Sequence, residues 1–301
     1  MRGSPNASRN VPASESVVGS APETAAGSAS RPASGSAAGP VVLIAGAGGG
    51  IGSAIARRYA REGARLALLD LDAPRMARLA GALAEDGTAV LTLICDITDP
   101  QACAEAVPRV EEEWGGVDVL IHCAGVTHLS FVDETNPSVF RHVMDVNFFG
   151  AVHVTRAALP ALIRSRGAIA VLSSVAGFAP LSGRSGYAAS KHALHGFFAS
   201  LRGELKEKGV SVTLICPSFV RTDIGGRALG GDGGPAAAVR TETGRVMDPD
   251  RVARAVLAAV RRRRRLAVLP LEAKLAWILW TFFPGLYERI MIRRLAEEQR
   301  R

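Results

Sequence analysis

Cysteine is scarce in this chain: four in 301 residues (Cys95, Cys103, Cys123 and Cys216), with no CxxC pair among them. That density excludes a disulfide scaffold and argues against a structural zinc site. The thiols read as free, the compartment as reducing and hence cytoplasmic, and no metal site is expected. Aromatic residues make up 5% of the chain. No window holds the roughly 20 consecutive apolar residues that a membrane-spanning helix requires. The N-terminal residues lack the apolar core of a secretory signal. At 48% hydrophobic and 21% charged, the composition nonetheless excludes a wholly disordered protein, and the length suffices for one large domain.

An acidic excess is missing too. The formal charge is +8, and all of it lies beyond Gly244: from Arg245 onward 13 arginines and one lysine face six acids, whereas the first 244 residues hold 22 bases and 22 acids. A neutral body does not advertise a nucleic-acid groove, and the run Arg261–Arg265 has no reading surface beside it. No nucleic-acid partner is expected.

Residues 1–40 contain nine Ser, nine Ala, five Gly and five Pro. Such a segment cannot bury enough surface to offset the entropy of ordering, and a disordered tail is expected. Beyond it, short apolar runs at Val41–Ala45, Arg65–Leu71, Ala89–Cys95, Val117–His122, Gly167–Ser173 and Val210–Cys216 alternate with helical patterns such as Ser53–Gly63, Pro74–Glu85 and Tyr187–Leu201. Continuous apolar strands alternating with helices predict a parallel sheet covered on both faces, a Rossmann-like doubly wound α/β fold. The expected organisation is a tail over 1–40, a single α/β domain over 41–265, and a hydrophobic and basic extension over 266–301.

Directly after the first run stands Gly46-Ala-Gly48-Gly-Gly50-Ile51-Gly52. A strand, a glycine turn and a helix in succession let backbone amides approach a pyrophosphate and aim the helix N-terminus at its charge. Alone, the cluster is also compatible with a mere tight turn. Asp70 strengthens the dinucleotide reading. It ends the second strand 18 residues after Gly52, where a carboxylate can accept from both hydroxyls of an adenosine ribose. A 2′-phosphate there would meet repulsion, and neither Gly49 nor Leu71 supplies an offsetting cation. NAD is therefore expected over NADP. Asp96, closing the third strand, fits either an adenine contact or a cap on the next helix.

Ser174 stands at the carboxyl end of the fifth strand, the edge where ligands gather in open α/β sheets. Tyr187 and Lys191 are four residues apart on a predicted helix and so share a face. A free phenol titrates near ~10 and is a poor base at neutral pH, but a cation one turn away favours the phenolate. Serine can donate a hydrogen bond to a substrate oxygen. A Tyr-x3-Lys pair by itself is more often structural than catalytic; the combination carries the chemistry.

In these motifs the chain resembles the short-chain dehydrogenase/reductase family over Val41 to Arg265. The family's glycine turn corresponds to Ala45–Gly52, its strand-end acid to Asp70, and its adenine-contacting acid to Asp96, followed by Ile97. Its catalytic asparagine corresponds to Asn147 in Asp145-Val-Asn147-Phe-Phe-Gly150, and its serine to Ser174, thirteen residues before the tyrosine. Tyr187-Ala-Ala-Ser-Lys191 matches the active-site signature, and Pro217-Ser-Phe-Val220-Arg-Thr222 stands where the family has Pro-Gly-x-Val-x-Thr. Two departures are visible: His122-Cys123-Ala124-Gly125 replaces Asn-Asn-Ala-Gly in the cofactor wall, and Ser218 replaces a glycine. His122 is expected to pack rather than to act as an acid or base.

The resemblance implies hydride transfer between nicotinamide and a secondary alcohol or ketone. Tyr187 would move the hydroxyl proton and Ser174 would hold the oxygen. Lys191 would bind the nicotinamide ribose and depress the tyrosine pKa, and Asn147 would hold a water linking Lys191 to solvent. Thr222 and the Val220 backbone would fix the carboxamide. A homo-oligomer is implied as well. Two other uses of the same residues stay open: a non-catalytic NAD-binding regulator, and an epimerase or dehydratase with tightly held NAD.

Loops beyond the strand ends, Val126–Asp133, Ala176–Gly186 and the glycine-rich Asp223–Val246, are expected to set substrate preference, the last as a mobile lid. Phe131, Phe178, Pro180 and Leu181 favour an apolar substrate. The longest uncharged run near the C-terminus, Leu275–Tyr287, has 13 residues with Pro284 inside, too short to span a bilayer. Its aromatic residues and the arginines around it suit a peripheral anchor on an anionic membrane surface, or else a flap over the substrate pocket or a subunit contact.

Overall fold

The computed structural model describes residues 39–237 and 246–298. The disordered tail expected over 1–40 lies, apart from Gly39 and Pro40, outside the described residues. Seven strands, β1 (Val41–Ala45), β2 (Arg65–Asp70), β3 (Val90–Ile94), β4 (Val119–His122), β5 (Ala168–Leu172), β6 (Ser211–Pro217) and β7 (Leu266–Leu269), form one sheet in the order β3-β2-β1-β4-β5-β6-β7. Every pairing is parallel. The strand order reverses between β1 and β4, which opens a crevice above their carboxyl ends.

Parallel pairing needs a crossover between strands. The helices that supply it are α1 (Gly50–Ala60), α2 (Ala73–Glu85), α3 (Pro100–Ala106), α4 (Pro108–Trp114), α5 (Pro137–Met144), α6 (Gly150–Ser165), α7 (Ser185–Glu204) and α8 (Pro249–Arg261). Several starts are written in the sequence. Asp72, Asp99, Asn136 and Asp248 each accept a first-turn N–H of α2, α3, α5 and α8, and each of these helices has proline at its beginning. Helix α1 begins at Gly50 rather than at the expected Ser53, because glycine's poor helix propensity hides the true start.

Strand side chains alternate between two apolar layers. Val41, Leu43 and Ala45 share one layer with Val154 and Leu162 of α6 and with Leu194 and Phe198 of α7. Val42 and Ile44 share the other with Ile55 of α1, Met76 of α2 and Val256 of α8. Strands β1, β4, β5 and β6 are buried along their whole length and therefore read as unbroken apolar runs, whereas the edge strand β3 leaves Thr92 and Ile94 exposed. Helices α5 and α6 join through a π-helical turn, Asp145–Phe149, into a stretch over 137–165 long and apolar enough to pass for a membrane span. Val139, Val143, Val154, Ala158 and Leu162 are buried, so this is a core helix of the domain.

The main difference from expectation is C-terminal. Leu266–Leu269 is the edge strand β7, paired to β6 from Leu214↔Leu266 to Pro217↔Leu269. The sheet thus runs past the boundary expected at 265; a four-residue strand behind five arginines gave no recognisable pattern. The chain then forms α9 (Leu271–Phe282) and α10 (Pro284–Glu298). The arginine run is fixed at the amino end of the sheet, where Arg263 donates to the carbonyls of Gly209 (2.7 Å) and Arg166 (2.8 Å). Helices α9 and α10 follow the carboxyl end of β7. Sequence neighbours are therefore parted to opposite ends of the sheet.

Phe198 is fully buried on the sheet-facing side of α7. Phe198→Ala should destabilise the fold by about 3–5 kcal/mol, read as a lower urea midpoint with an unchanged slope. A loss well under ~1 kcal/mol would mean that α7 is not packed in this layer.

Candidate active site

The chain leaves β1 at Gly46, whose φ of +83° is a left-handed conformation that favours glycine. A Cβ on Gly46 would lie 2.3 Å from Ala124 N, and one on Gly52 would lie 2.1 Å from Gly46 O. Both positions must be glycine for the turn, the exit of β4 and helix α1 to close on one another. A Cβ on Gly50 would stand 2.9 Å from Thr222 Cγ2, so the turn also faces the segment after β6. Gly48 N–H donates to Asp70 Oδ2 (2.9 Å) and Asp72 N–H to Asp70 Oδ1 (3.1 Å), which fixes the carboxylate beside the turn. No side chain caps α1. Its first-turn amides, the glycine cradle and Asp70 fit the pyrophosphate and ribose of a dinucleotide.

A cation does reach this corner, although neither Gly49 nor Leu71 supplies it. A Cβ on Gly48 would meet Arg75 Cβ at 3.4 Å. The Arg75 guanidinium is held by Asp72 (3.2 Å) and by Asp223 (2.8 Å). Asp96 serves a local turn, its Oδ1 accepting from Thr98 N–H (2.9 Å) and Oγ1–H (2.8 Å), while Asp99 caps α3. Ile97 is buried against Gly150, and its carbonyl accepts from His153 Nδ1 (3.0 Å).

Above the carboxyl ends of β4, β5 and β6 lies a cavity of about 580 Å³. Of the residues singled out in the sequence, Ile51, Cys123, Gly125, Ser174, Tyr187, Lys191, Pro217, Val220 and Thr222 line it; Gly46, Gly48, Gly50, Gly52, Asp70, Asp96, Ile97, Ala124 and Asn147 do not. Lys191 is 4% exposed, its Nζ donates to Leu172 O (3.1 Å), and it lies 5.5 Å from the centre of the Tyr187 ring. Burial pushes the Lys191 ammonium down to about 8. Ser174 Oγ accepts from Ala176 N–H (3.2 Å), which leaves the hydroxyl its own proton to donate.

Asn147 sits in the π-helical turn and ties the exit of β4 to α7. Its Oδ1 accepts from Val126 N–H (2.8 Å), and its Nδ2 donates to Val126 O (3.0 Å) and Ser190 Oγ (2.9 Å). A Cβ on Gly125 would lie 3.1 Å from Asn147 Oδ1 and 3.5 Å from Lys191 Nζ, so this glycine lets the two side chains approach.

The departures from the family pattern have local accounts. Ser218 donates its N–H to Leu269 O (2.8 Å), and among the described residues only Arg166 and Arg263 are non-glycines with positive φ, so serine there carries no backbone strain. Cys123 gives its N–H to Ala45 O (2.7 Å), and burial holds its thiol neutral by pushing the pKa far up. His122 is buried with Nε2 3.0 Å from Thr155 Oγ1. Burial first, and then the charge of Lys191, pushes its pKa down to about 3. It is a neutral packing group outside the cavity wall.

The C-terminal helices also contribute to the cavity wall. Glu272, Ala273, Ala276 and Leu279 of α9 and Tyr287, Ile290 and Met291 of α10 line it, together with Pro180 and Leu181. Tyr287 Oη donates to Pro180 O (3.5 Å), and the Phe178 and Trp277 rings lie 6.0 Å apart. Phe131 and Phe178 themselves do not line the cavity. Arg184, 5% exposed, does line it; its charge was missed in sequence because nothing local distinguishes it from a surface arginine. The segment expected to be a mobile lid is tied down where it is described. Leu229 exchanges backbone hydrogen bonds with Thr127 O and Leu129 N, and Gly231 O accepts from Asn136 N–H (2.8 Å). Residues 238–245 of that segment lie outside the described residues.

A family model described as short chain dehydrogenase matches residues 40–229. The chain is 36% identical over 269 residues to the dehydrogenase/reductase SDR family member 7B of Bos taurus, spanning 86% of this chain and 82% of that protein. It is 40% identical over 187 residues to the oxidoreductase UcpA of Escherichia coli (strain K12), spanning 61% and 70%. Among solved structures it is similar to a short chain dehydrogenase/reductase from Burkholderia phymatum in complex with NAD, with a TM-score of 0.74, 26% identity, and 83% and 95% of the two chains covered. It is also similar to an alcohol dehydrogenase from the archaeon Thermococcus sibiricus complexed with 5-hydroxy-NADP, with a TM-score of 0.66, 27% identity, and 76% and 94% covered.

Lys191 gives the site a pH signature. Its folded pKa of about 8 lies below the ordinary 10.5. Between those values the unfolded chain binds more protons, so its contribution to stability rises with pH across that window. Urea unfolding at pH 8 and again near pH 10 should show a larger gain for the wild type than for Lys191→Met. Equal gains would mean that Lys191 does not lose its proton inside the fold.

Proposed function

The chain belongs to the short-chain dehydrogenase family, and from that premise we propose that it is an NAD-dependent oxidoreductase acting on an apolar secondary alcohol or ketone. The observation that carries this reading is the meeting of Ser174, Tyr187 and Lys191 on one cavity that residues of α9 and α10, most of them apolar, also line. A bound nicotinamide cofactor would supply the hydride chemistry. Tyr187 moves the proton of the substrate hydroxyl, and the Lys191 ammonium, buried 5.5 Å from the ring, favours the phenolate that must form. Ser174 donates its proton to the substrate oxygen. Thr222 and Val220, which line the same cavity, would hold the carboxamide end of a bound cofactor. The two solved relatives named above carry NAD and an NADP derivative. For this chain Asp70 favours NAD, because Arg75 is held between two carboxylates and does not offset a 2′-phosphate.

Fluorescence titration should give tighter binding of NADH than of NADPH, and Asp70→Ala should shrink that ratio by about tenfold or more. Tyr187→Phe should keep NADH binding and lower kcat by about 100-fold or more in a screen of lipophilic alcohols and ketones. Tighter NADPH binding by the wild type overturns the Asp70 argument. Binding without turnover of free NAD would favour a regulator, or an epimerase or dehydratase that keeps its cofactor.

The outer side of the same helices supports a second reading. Of the twelve large apolar side chains exposed among the described residues, five on α9, α10 or the turn between them lie off the cavity wall and away from Phe178: Leu275, Ile278, Phe282 at 70%, Phe283 at 60% and Leu286. We propose that this face lies on a lipid surface. Helices α9 and α10 carry both signs of charge, Lys274, Arg289 and Arg293 against Glu288, and the arginine run is at the far end of the sheet, so apolar burial outweighs attraction to anionic lipid. Phe282→Ser with Phe283→Ser should abolish co-sedimentation with phosphatidylcholine vesicles, and added phosphatidylserine should strengthen wild-type binding only weakly. If the pair instead dissolves a dimer on size exclusion, the face is a subunit contact.

A further inference from the structure

Six residues past the end of β4, His128 is fully buried. It lies outside the cavity wall and has no part in the proton transfer described above. Its two ring nitrogens have unlike partners. Nε2 accepts from Gly186 N–H at 3.0 Å. An amide N–H can only donate, so Nε2 carries no proton and Nδ1 does. Nδ1–H then donates to Ser130 Oγ (3.2 Å), Ser130 Oγ–H to Thr135 Oγ1 (2.7 Å), and Thr135 Oγ1–H to the carbonyl of Phe131 (2.5 Å). A carbonyl at one end and an amide at the other fix the direction of every bond in the chain.

Gly186 is the second residue of α7 and immediately precedes Tyr187. First-turn N–H groups have no partner within their own helix, and no capping side chain serves α7 at its N-cap, Arg184. His128 supplies an acceptor that this helix start lacks. The packing leaves little slack: a Cβ on Gly186 would lie 2.7 Å from Phe140 Cδ1 and 3.1 Å from His128 Nε2. Phe140, on α5, meets the imidazole edge-on with ring centres 5.5 Å apart. The backbone on either side of His128 is bonded to Leu229, through Thr127 O (2.9 Å) and Leu129 N (2.8 Å). The His128 side chain thus joins α5 to the start of α7, and the backbone on either side of it joins both to the glycine-rich segment after β6.

We infer that His128 is a positioning residue, whose Nδ1–H imidazole holds the first turn of α7, and with it Tyr187, in register with the segment after β6. The inference rests on Tyr187 being the proton-transfer group of the proposed function. A proton on Nε2 would set two N–H groups face to face and release Gly186. Burial, and then the positive charge of Arg184 at the start of α7, lowers the His128 pKa from its ordinary 6.5. The side chains that touch the ring from α5 and from its own loop, Phe140 and Ser130, are uncharged, as is Thr135 behind them. Release therefore belongs to acid pH.

Two variants separate positioning from packing. His128→Phe keeps an aromatic ring against Phe140 but removes the acceptor; His128→Gln keeps an uncharged acceptor for Gly186 at every pH. His128→Phe should lower kcat by about 10- to 100-fold, the scale of a misplacement of about 1 Å, with NADH affinity changed by less than about threefold. His128→Gln should stay within about threefold of wild-type kcat and lose the acid-side component of its pH profile that His128 contributes. Unchanged kcat in His128→Phe, with only a lower Tm, reduces the residue to packing and overturns the inference. A readout independent of turnover is the 1H–15N spectrum of the wild type. His128 should show the Nδ1–H tautomer, and the Gly186 amide should exchange at least about tenfold faster in His128→Phe. An Nε2–H tautomer overturns the inference even if the oxidoreductase reading stands. Those spectra in a protein without turnover would remove the oxidoreductase reading and leave His128 as the anchor of α7.

Discussion

Where the glycine turn meets the end of β4, two main chains come closer than any side chain permits. The absent Cβ atoms of Gly46 and Gly52 are the constraint on which the site depends. Because Gly46 can lie against Ala124, helix α1 starts directly over the crevice and Gly48 can reach Asp70. The same closeness brings the segment Cys123–Gly125 under the turn, and the bare Gly125 leaves room for Asn147 and Lys191 beside it. A larger side chain at any of these positions would move the two halves of the sheet's upper edge apart. Ile51, next to the glycine turn, would then no longer share a cavity with Ser174, Tyr187 and Lys191.

Electrostatics in that cavity follow from burial. Lys191 is surrounded by groups that burial keeps neutral: His122 pushed down to about 3, His195 to about 4, and the Cys216 thiol pushed up to about 12. His195 Nε2 and Cys216 Sγ, 3.4 Å apart, satisfy one another rather than the lysine. Desolvation is also what lowers the lysine's own pKa. The balance between its charged and neutral forms is thus poised near the range in which a phenol must gain and lose a proton. A carboxylate beside Lys191 would have held the ammonium charged but cancelled its field at Tyr187.

The parts of this architecture legible in the sequence are those set by local pattern. Six strands announce themselves as apolar runs because both faces of the sheet are covered, and the glycine turn, Asp70 and the Tyr187–Lys191 pair keep the spacing that strand and helix geometry demand. What was not legible depends on contacts far apart in the chain. Strand β7 is four residues long and exists by virtue of its pairing with β6. Arg75 reaches the Asp70 corner because α2 turns back over the glycine loop, and its engagement with Asp223 spans 148 residues. His128 looked like any loop histidine until Gly186, 58 residues on, was set against its Nε2. The arginine run shows the opposite failure: it is adjacent to the aromatic helices in sequence and distant from them in the fold.

That separation bears on what α9 and α10 are for. An apolar helix face is ordinarily buried against protein or immersed in lipid. Here the inner side has its cover, since Ala273, Ala276 and Leu279 close the cavity. The outer side, with Leu275, Ile278, Phe282, Phe283 and Leu286, has none among the described residues. Leaving such side chains in water forgoes roughly 1.5–3 kcal/mol for each that burial would return, an expense that a flap serving the pocket alone has no reason to carry. A substrate that partitions into lipid and a wall apolar on both sides are consistent with one another: the two helices that would meet the lipid also complete the pocket. Under the proposed function, an oxygen for Tyr187 and Lys191 would be presented from the lipid side, while the arginine run, at the opposite end of the sheet, would stay in water.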